Sequence, residues 1–247
     1  LFCFPYAGGG TAIFQPWVNS VPEDVEVALV QLPGREYRFS EPPFTRIEPL
    51  IKAVTDALHP YLDKKFAFFG HSMGAVIGFE LTRELRRKHW PSPAHLFVSG
   101  RGAAQIPEED TRTYQLSPPD LLQELRRLNG TPTEVLENPE LMRLMLPVIK
   151  ADFEVIQTYA YRPEPPLDCS ITAFGGVQDQ FVSYESLTAW SEQTTKKFSL
   201  KILSGDHFFI NTQRPILLKA LFETLDLPAK PPMSGYSLQA AAEAVNG

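Results

Sequence analysis

The chain has 247 residues, enough to bury a substantial core in one large α/β domain or two small ones. Its 29 Asp and Glu outweigh 23 Lys and Arg for a net charge of −6, without the basic excess expected of a nucleic-acid binder. Its two cysteines sit inside apolar runs, LFCFP and DCSITAF, and read as buried strand thiols rather than a disulfide framework. No apolar stretch approaches the ~18 residues of a membrane span, and neither a signal peptide nor a metal-ligand spacing is visible. A soluble cytoplasmic protein without metal is expected. Because the chain opens at Leu1 within a strand-like segment, its numbering is expected to begin inside a longer natural chain.

Taken in order, strand-like runs fall at LFCF (1 to 4), VEVALVQL (25 to 32), FAFF (66 to 69), HLFVSG (95 to 100), CSITAFGG (169 to 176) and FSLKILSG (198 to 205). Helical patterns lie between them near residues 46 to 62, 74 to 88, 184 to 194 and 212 to 225. This βα rhythm predicts an α/β fold, a mostly parallel sheet covered on both faces. Ligands of such sheets bind at the carboxyl ends of the strands. Residues 117 to 160 break the rhythm, because SPPDLLQELRRLNG and NPELMRLMLPVIKADFEVIQTY are both helical with no strand between them. They form an insertion in which Leu121, Leu122, Leu125 and Leu128 share a stripe and Asn138 with Pro139 reads as an N-cap and first turn. Pro147 is expected to kink or divide the second helix. On pattern alone the insertion is equally an ordinary packed helix pair. Beyond Leu227 the sequence PAKPPMSGYSLQAAAEAVNG reads as a Pro-rich linker and tail.

Within FAFFGHSMGAVIGFELTREL a strand passes into a helix with no polar loop, and Gly70-His71-Ser72-Met73-Gly74 stands at the turn. That is the G-x-S-x-G pattern, in which small flanking residues let strand and helix pack closely while the serine projects above the sheet. A serine needs a base, and the base needs an orienting group. Among five histidines, His59 and His89 fall at helix ends, His95 begins a strand and His71 belongs to the turn itself. His207 instead follows the strand FSLKILSG at the carboxyl edge. The chain order Ser, acid, His then favours Asp179 in GGVQDQF; Asp206 adjoins His207 too closely, and Asp152 and Asp168 precede the relevant strand end. For an oxyanion, the N–H of Met73 and that of Ala7 in FPYAGGGTAIFQPW are the candidate donors. A phosphate loop is disfavoured, since no G-K-[ST] follows the glycines.

PYAGGG at 5 to 10, VQLPGREYRFSEPP at 30 to 43, FFGHSMGA at 68 to 75, GGVQDQF at 175 to 181 and GDHFFI at 205 to 210 together resemble the type II thioesterases. These are α/β-hydrolase enzymes that accompany polyketide synthases and nonribosomal peptide synthetases, similar also to the medium-chain fatty acyl thioesterase. The resemblance spans residues 1 to about 226 and implies a triad of Ser72, Asp179 and His207, oxyanion donors Ala7 and Met73, and a lid over the acyl pocket at 117 to 160. It further implies a pocket lined by Leu121, Leu125 and Phe153, no cofactor, and an acyl or peptidyl carrier protein as partner, whose phosphopantetheine delivers the acyl group. Three positions depart from the family pattern: Glu36 where Gly is common after PGR, Gly102 where a second Arg is usual after SGR, and Lys150 in place of the Arg of R-A-D-F.

The basic run RELRRK at 83 to 88, with Arg126 and Arg127, offers positive charge for an acidic carrier, although most such runs are solvated faces. Nothing suggests a self-pairing element, so a monomer is expected. The rival readings are a general carboxylesterase or lipase, a chain-terminating domain of a synthase, and a noncatalytic carrier-binding module.

Overall fold

Among the described residues, six strands pair in parallel in the order β2-β1-β3-β4-β5-β6. They are β1 (Phe2–Phe4), β2 (Ala28–Leu29), β3 (Ala67–His71), β4 (His95–Ser99), β5 (Ser170–Gly176) and β6 (Phe198–Leu203). The structure, a computed structural model, describes residues 1–107 and 111–227, so the linker and tail expected beyond Leu227 lie outside the described residues.

The central strands β1, β3 and β4 are buried along their whole length, which is why their sequences are near-continuous apolar runs rather than alternations. Alternation survives in which face each side chain serves. Phe2, Phe4, Phe68, Leu96, Val98, Ile171 and Ala173 pack into one core, while Cys3, Ala67, Phe69, Phe97 and Phe174 pack into another on the opposite face.

The first core is closed by α2 (Ile47–Leu58) and α3 (Met73–Arg87). Helix α2 presents Ile47, Leu50, Ile51, Val54 and Leu58 as a single buried stripe, each worth about 2 kcal/mol of burial. The opposite face is covered by α1 (Gln15–Val18), α8 (Phe209–Thr212) and α9 (Arg214–Thr224), whose Trp17, Phe209, Leu217 and Leu221 are fully buried. Helix α7 (Tyr184–Thr188) and a 3-10 turn at Ala189–Gln193 occupy the span read as one helix. The insertion comprises α4 (Pro118–Leu128), α5 (Thr133–Leu136) and α6 (Pro139–Gln157). Asn138 caps α6 by accepting the N–H groups of Glu140 and Leu141, both at 3.1 Å.

Two expectations need correction. Of VEVALVQL only Ala28–Leu29 joins the ladder, because β1 offers just Phe2 and Cys3 as partners on that side. Pro147 does not divide α6, which continues from Pro139 to Gln157. By contrast, the helix expected near 212 to 225 is present as α9, set off from α8 by Pro215 in its first turn, which has no N–H to extend the preceding turn.

The basic run of α3 is tied to carboxylates of the same chain, from the buried Arg83 to the exposed Arg87. Arg83 is 2 % exposed, pairs with Glu80 at 2.7 Å and Glu164 at 2.9 Å, and stacks on Phe79 and Tyr161. Arg86 and Arg87 also pair with Glu164, at 2.7 and 2.6 Å. These arginines stand at the C-terminal end of α3, about 20 Å from the serine at its start at 1.5 Å per residue.

Candidate active site

Ser72 is the hinge between β3 and α3. Its backbone lies at φ 54°, ψ −114°, a conformation that costs an ordinary residue on the order of 1–3 kcal/mol. The Ser72 N–H donates to the Ser99 carbonyl at 2.7 Å, and the Ser72 carbonyl accepts from Ala75 N–H at 3.0 Å. The motif glycines are steric necessities: a Cβ on Gly70 would lie 1.9 Å from the Gly74 carbonyl oxygen, and one on Gly74 would lie 2.1 Å from that of Phe4. Neither obstacle is a side chain that can move aside. The spacing G-x-S-x-G is therefore what lets strand and helix close to contact distance around a raised serine.

Asp179 and His207 come from the loops after β5 and β6. His207 Nδ1 is 2.8 Å from Asp179 Oδ2, with the carboxylate 1 % and the ring 12 % exposed. The other carboxylate oxygen accepts the Phe181 N–H at 2.9 Å, so the acid is held at both oxygens. Phe181 and Phe208 stand edge-on to the imidazole. With Nδ1–H donated to Asp179, the tautomer that remains has its Nε2 lone pair free. Asp206 instead accepts the Phe208 N–H at 2.9 Å, and Asp168 pairs with Lys196 at 2.9 Å. His71 points away from the cleft, fully buried, with Nδ1 2.9 Å from Ser99 Oγ and its ring centre 5.1 Å from that of His207. Burial, then the neighbouring His207, holds its pKa well below the usual imidazole range, against a smaller opposing influence from the His207 backbone.

The AGGG segment crosses above β1. Gly8, at φ +75°, donates its N–H to Asp152 Oδ2 at 2.7 Å. Asp152 in turn holds Arg35 of the PGR segment through two bonds of 2.8 Å, and Arg35 Nη1 donates to the Gly9 carbonyl at 2.7 Å. The pair is almost dry, at 8 % and 2 % side-chain exposure, and the fork geometry of the guanidinium satisfies both carboxylate oxygens. Among the described residues, neither the Ala7 N–H nor the Met73 N–H donates to a protein acceptor. Met73 turns its side chain into the core. In the sequence Asp152 reads only as a candidate acid, and Arg35 has no role. The signal was present in the PGR and A-D-F segments, but not their pairing.

Ser72, Ala7, Gly102, Gln180 and His207 border one cleft of about 770 Å³ at the carboxyl ends of the strands. Leu125 and Phe153 also line it, joined by Ile149 and Val135. Leu121 does not. It is fully buried in a separate small core with Leu136, Met142 and Ile149, because the α4 stripe must hold the insertion together before it can face a ligand. The turn after α4 rests on the His207 loop: a Cβ on Gly130 would lie 2.1 Å from the Phe208 ring, and Asn129 Nδ2 donates to Asp206 Oδ2 at 3.2 Å. Lys150, one of the three departures, donates to the Leu116 carbonyl at 2.5 Å. Gly102, another, faces Ser186 too closely for a Cβ, which would lie 2.9 Å away. Both thiols are removed from this chemistry, since burial pushes Cys3 and Cys169 up to about 12.

The thioesterase domain model matches residues 1–225. The chain belongs to the thioesterase family. Its activity is the hydrolysis of thioesters, and its sheet and helices are those of the α/β-hydrolase fold. It is 45 % identical over 231 residues to the gramicidin S biosynthesis protein GrsT of Aneurinibacillus migulanus, covering 94 % of this chain and 90 % of that one. Against the medium-chain S-acyl fatty acid synthase thioesterase of Rattus norvegicus the identity is 34 %, over 85 % of this chain and 81 % of the relative. Among solved structures, the RedJ thioesterase from the prodiginine pathway of Streptomyces coelicolor superposes with a TM-score of 0.85 at 40 % identity, covering 89 % and 87 % of the two chains. The type II thioesterase BorB from the borrelidin cluster gives 0.82 at 36 % identity, covering 90 % of each.

Proposed function

We propose that this chain hydrolyses acyl thioesters on the phosphopantetheine arm of acyl or peptidyl carrier proteins, freeing stalled or aberrant groups during polyketide and nonribosomal peptide assembly in the cytoplasm. The observation that carries the reading is a raised Ser72 sharing one cleft with an imidazole that is fixed 2.8 Å from a buried carboxylate. The likeness to GrsT, RedJ and BorB, which serve gramicidin S, prodiginine and borrelidin pathways, supports the pathway context.

In this mechanism Ser72 Oγ attacks the thioester carbon while His207 Nε2 takes the hydroxyl proton. The carbonyl oxygen becomes an oxyanion that accepts the N–H groups of Ala7 and Met73. Collapse breaks the carbon–sulfur bond, and His207 returns the proton to the departing pantetheine thiol. Water then attacks the acyl-serine with His207 again as base, releasing the acid and restoring Ser72. Asp179 fixes the ring and stabilises its protonated form. The insertion serves as the lid, with Leu125 and Phe153 against the acyl chain. No cofactor is needed for these steps.

The test is hydrolysis of an acyl series on holo carrier protein, on coenzyme A and as oxygen esters, with Ser72→Ala as control. Preferential cleavage from the carrier, abolished in Ser72→Ala, is the expected result. Faster cleavage of oxygen esters with no gain from the carrier would reject the substrate class while leaving the serine chemistry in place.

A further inference from the structure

We infer that Glu36 is a positioning residue for the oxyanion loop, a role that rests on the reading of Ala7 as a donor. Glu36 departs from the family pattern, and the reaction as described gives it nothing to do. Its carboxylate nevertheless reaches across to the far end of the glycine segment. Oε2 accepts from Thr11 Oγ1 at 2.7 Å, and Oε1 accepts from the Ala12 N–H at 3.2 Å.

Those contacts answer a local need. The 3-10 turn Thr11–Ile13 is preceded by Gly10, which has no side chain to cap it. The first N–H groups of a helical turn lack internal partners, and a side-chain oxygen normally supplies one. Glu36 supplies it from another loop. Gly10 is what admits the carboxylate, since a Cβ there would lie 2.4 Å from Glu36 Oε1. Glu36 itself sits at φ +49°, a conformation that glycine takes far more readily, so this contact is made against the local backbone preference.

The segment from Gly8 to Ala12 is thus gripped at successive points. Asp152 holds the Gly8 N–H, Arg35 holds the Gly9 carbonyl, and Glu36 holds Thr11 and Ala12. The first grip adjoins the Ala7 N–H directly. The last fixes the opposite end, and the Gly9 N–H donates to the Tyr6 carbonyl at 2.9 Å, the carbonyl of the peptide that carries the Ala7 N–H, so that plane is tied to the held segment. Ile13, at the end of the held turn, also lines the cleft. An oxyanion hole acts through donors already in place when charge develops, so small losses of placement appear in the rate rather than in ground-state binding.

The experiment compares Glu36→Gly and Glu36→Gln with the parent chain for kcat and KM on an acyl carrier thioester. It also measures inhibition by an acyl trifluoromethyl ketone, which adds to Ser72 as a tetrahedral oxyanion, and the melting temperature. Glu36→Gly should lower kcat about tenfold, a fraction of what losing a whole donor costs. It should weaken the ketone by the same factor and leave KM unchanged. Its melting temperature should not fall, because glycine relaxes the positive φ. Glu36→Gln should restore most of the rate, since its amide oxygen can accept from Ala12 and its NH2 can donate to Thr11. A Glu36→Gly chain with parental kcat and ketone affinity would overturn the proposal, as would a loss that appears only in KM or tracks a lowered melting temperature. Activity that survived Ser72→Ala would overturn the serine mechanism itself, a separate result.

Discussion

Asp152→Asn tests whether the Arg35 clamp works as argued. The substitution preserves shape but leaves the buried Arg35 guanidinium, 8 % exposed, without its counter-charge. Removing one partner of a buried pair costs about 3–5 kcal/mol. At about 2 °C per kcal/mol for a chain of this size, the melting temperature should drop by roughly 6–10 °C. The Gly8 N–H also loses a charged acceptor, so single-turnover acylation of Ser72 should slow by up to about a hundredfold, within the range set by loss of one oxyanion donor. The double variant Arg35→Met with Asp152→Leu separates the two effects. Replacing a buried ion pair by apolar groups of similar volume commonly recovers stability, so its melting temperature should return towards the parent. Its acylation rate should stay low, because the Gly8 N–H and the Gly9 carbonyl still lack their partners. A double variant with full turnover, or an Asp152→Asn chain that melts like the parent, would refute the reasoning.

Ser72→Gly should abolish turnover while raising the melting temperature by roughly 2 °C, since glycine relieves about 1 kcal/mol of strain at φ 54°; a lower melting temperature would show that Ser72 is not strained. His95 gives a pH dependence of definite sign. Burial, then Lys197, lowers its pKa to about 4, so the unfolded chain takes up the proton first. Its contribution, about 3 kcal/mol at most, is complete above the unfolded pKa near 6.5 and is lost as pH falls towards 4. Urea unfolding at pH 7 and 4.5 should show a shallower loss in His95→Gln, and an unchanged loss would rule this residue out. Leu121→Ala should cost about 2–5 kcal/mol without altering acyl preference, whereas Phe153→Ala should shift preference towards bulkier acyl groups in a competition assay.

The fold was legible where one local rule decides it. Buried parallel strands announce themselves as short unbroken apolar runs, and the collision distances at Gly70 and Gly74 explain why Gly-x-Ser-x-Gly could be read as a tight strand-to-helix turn. Ser72, Asp179 and His207 could be nominated because each stands just past a strand end. Pairings between distant segments were not legible. Arg35 and Asp152 lie 117 positions apart, and nothing local says that a turn arginine and a helix aspartate meet. The run RELRRK likewise gives no sign of its partner Glu164, which pairs with three of its arginines and arrives from beyond the insertion. Leu121 and Leu125 share a helical stripe, yet a stripe does not distinguish a helix's own packing surface from the wall of a cleft.

Helix α6 has a second consequence for anyone who would retarget this enzyme. The cleft wall that presents Ile149 and Phe153 also carries Asp152, and a Cβ on Gly8 would lie 2.8 Å from Ile149. Recutting this side of the pocket therefore disturbs the chemistry through the same helical turn. On the opposite wall, Leu125 and Val135 pack in the insertion's small core together with Ile149, so they reach the glycine loop through that side chain rather than through Asp152. Substrate range should prove easier to redesign there, with the grip of Asp152 on Gly8 left in place.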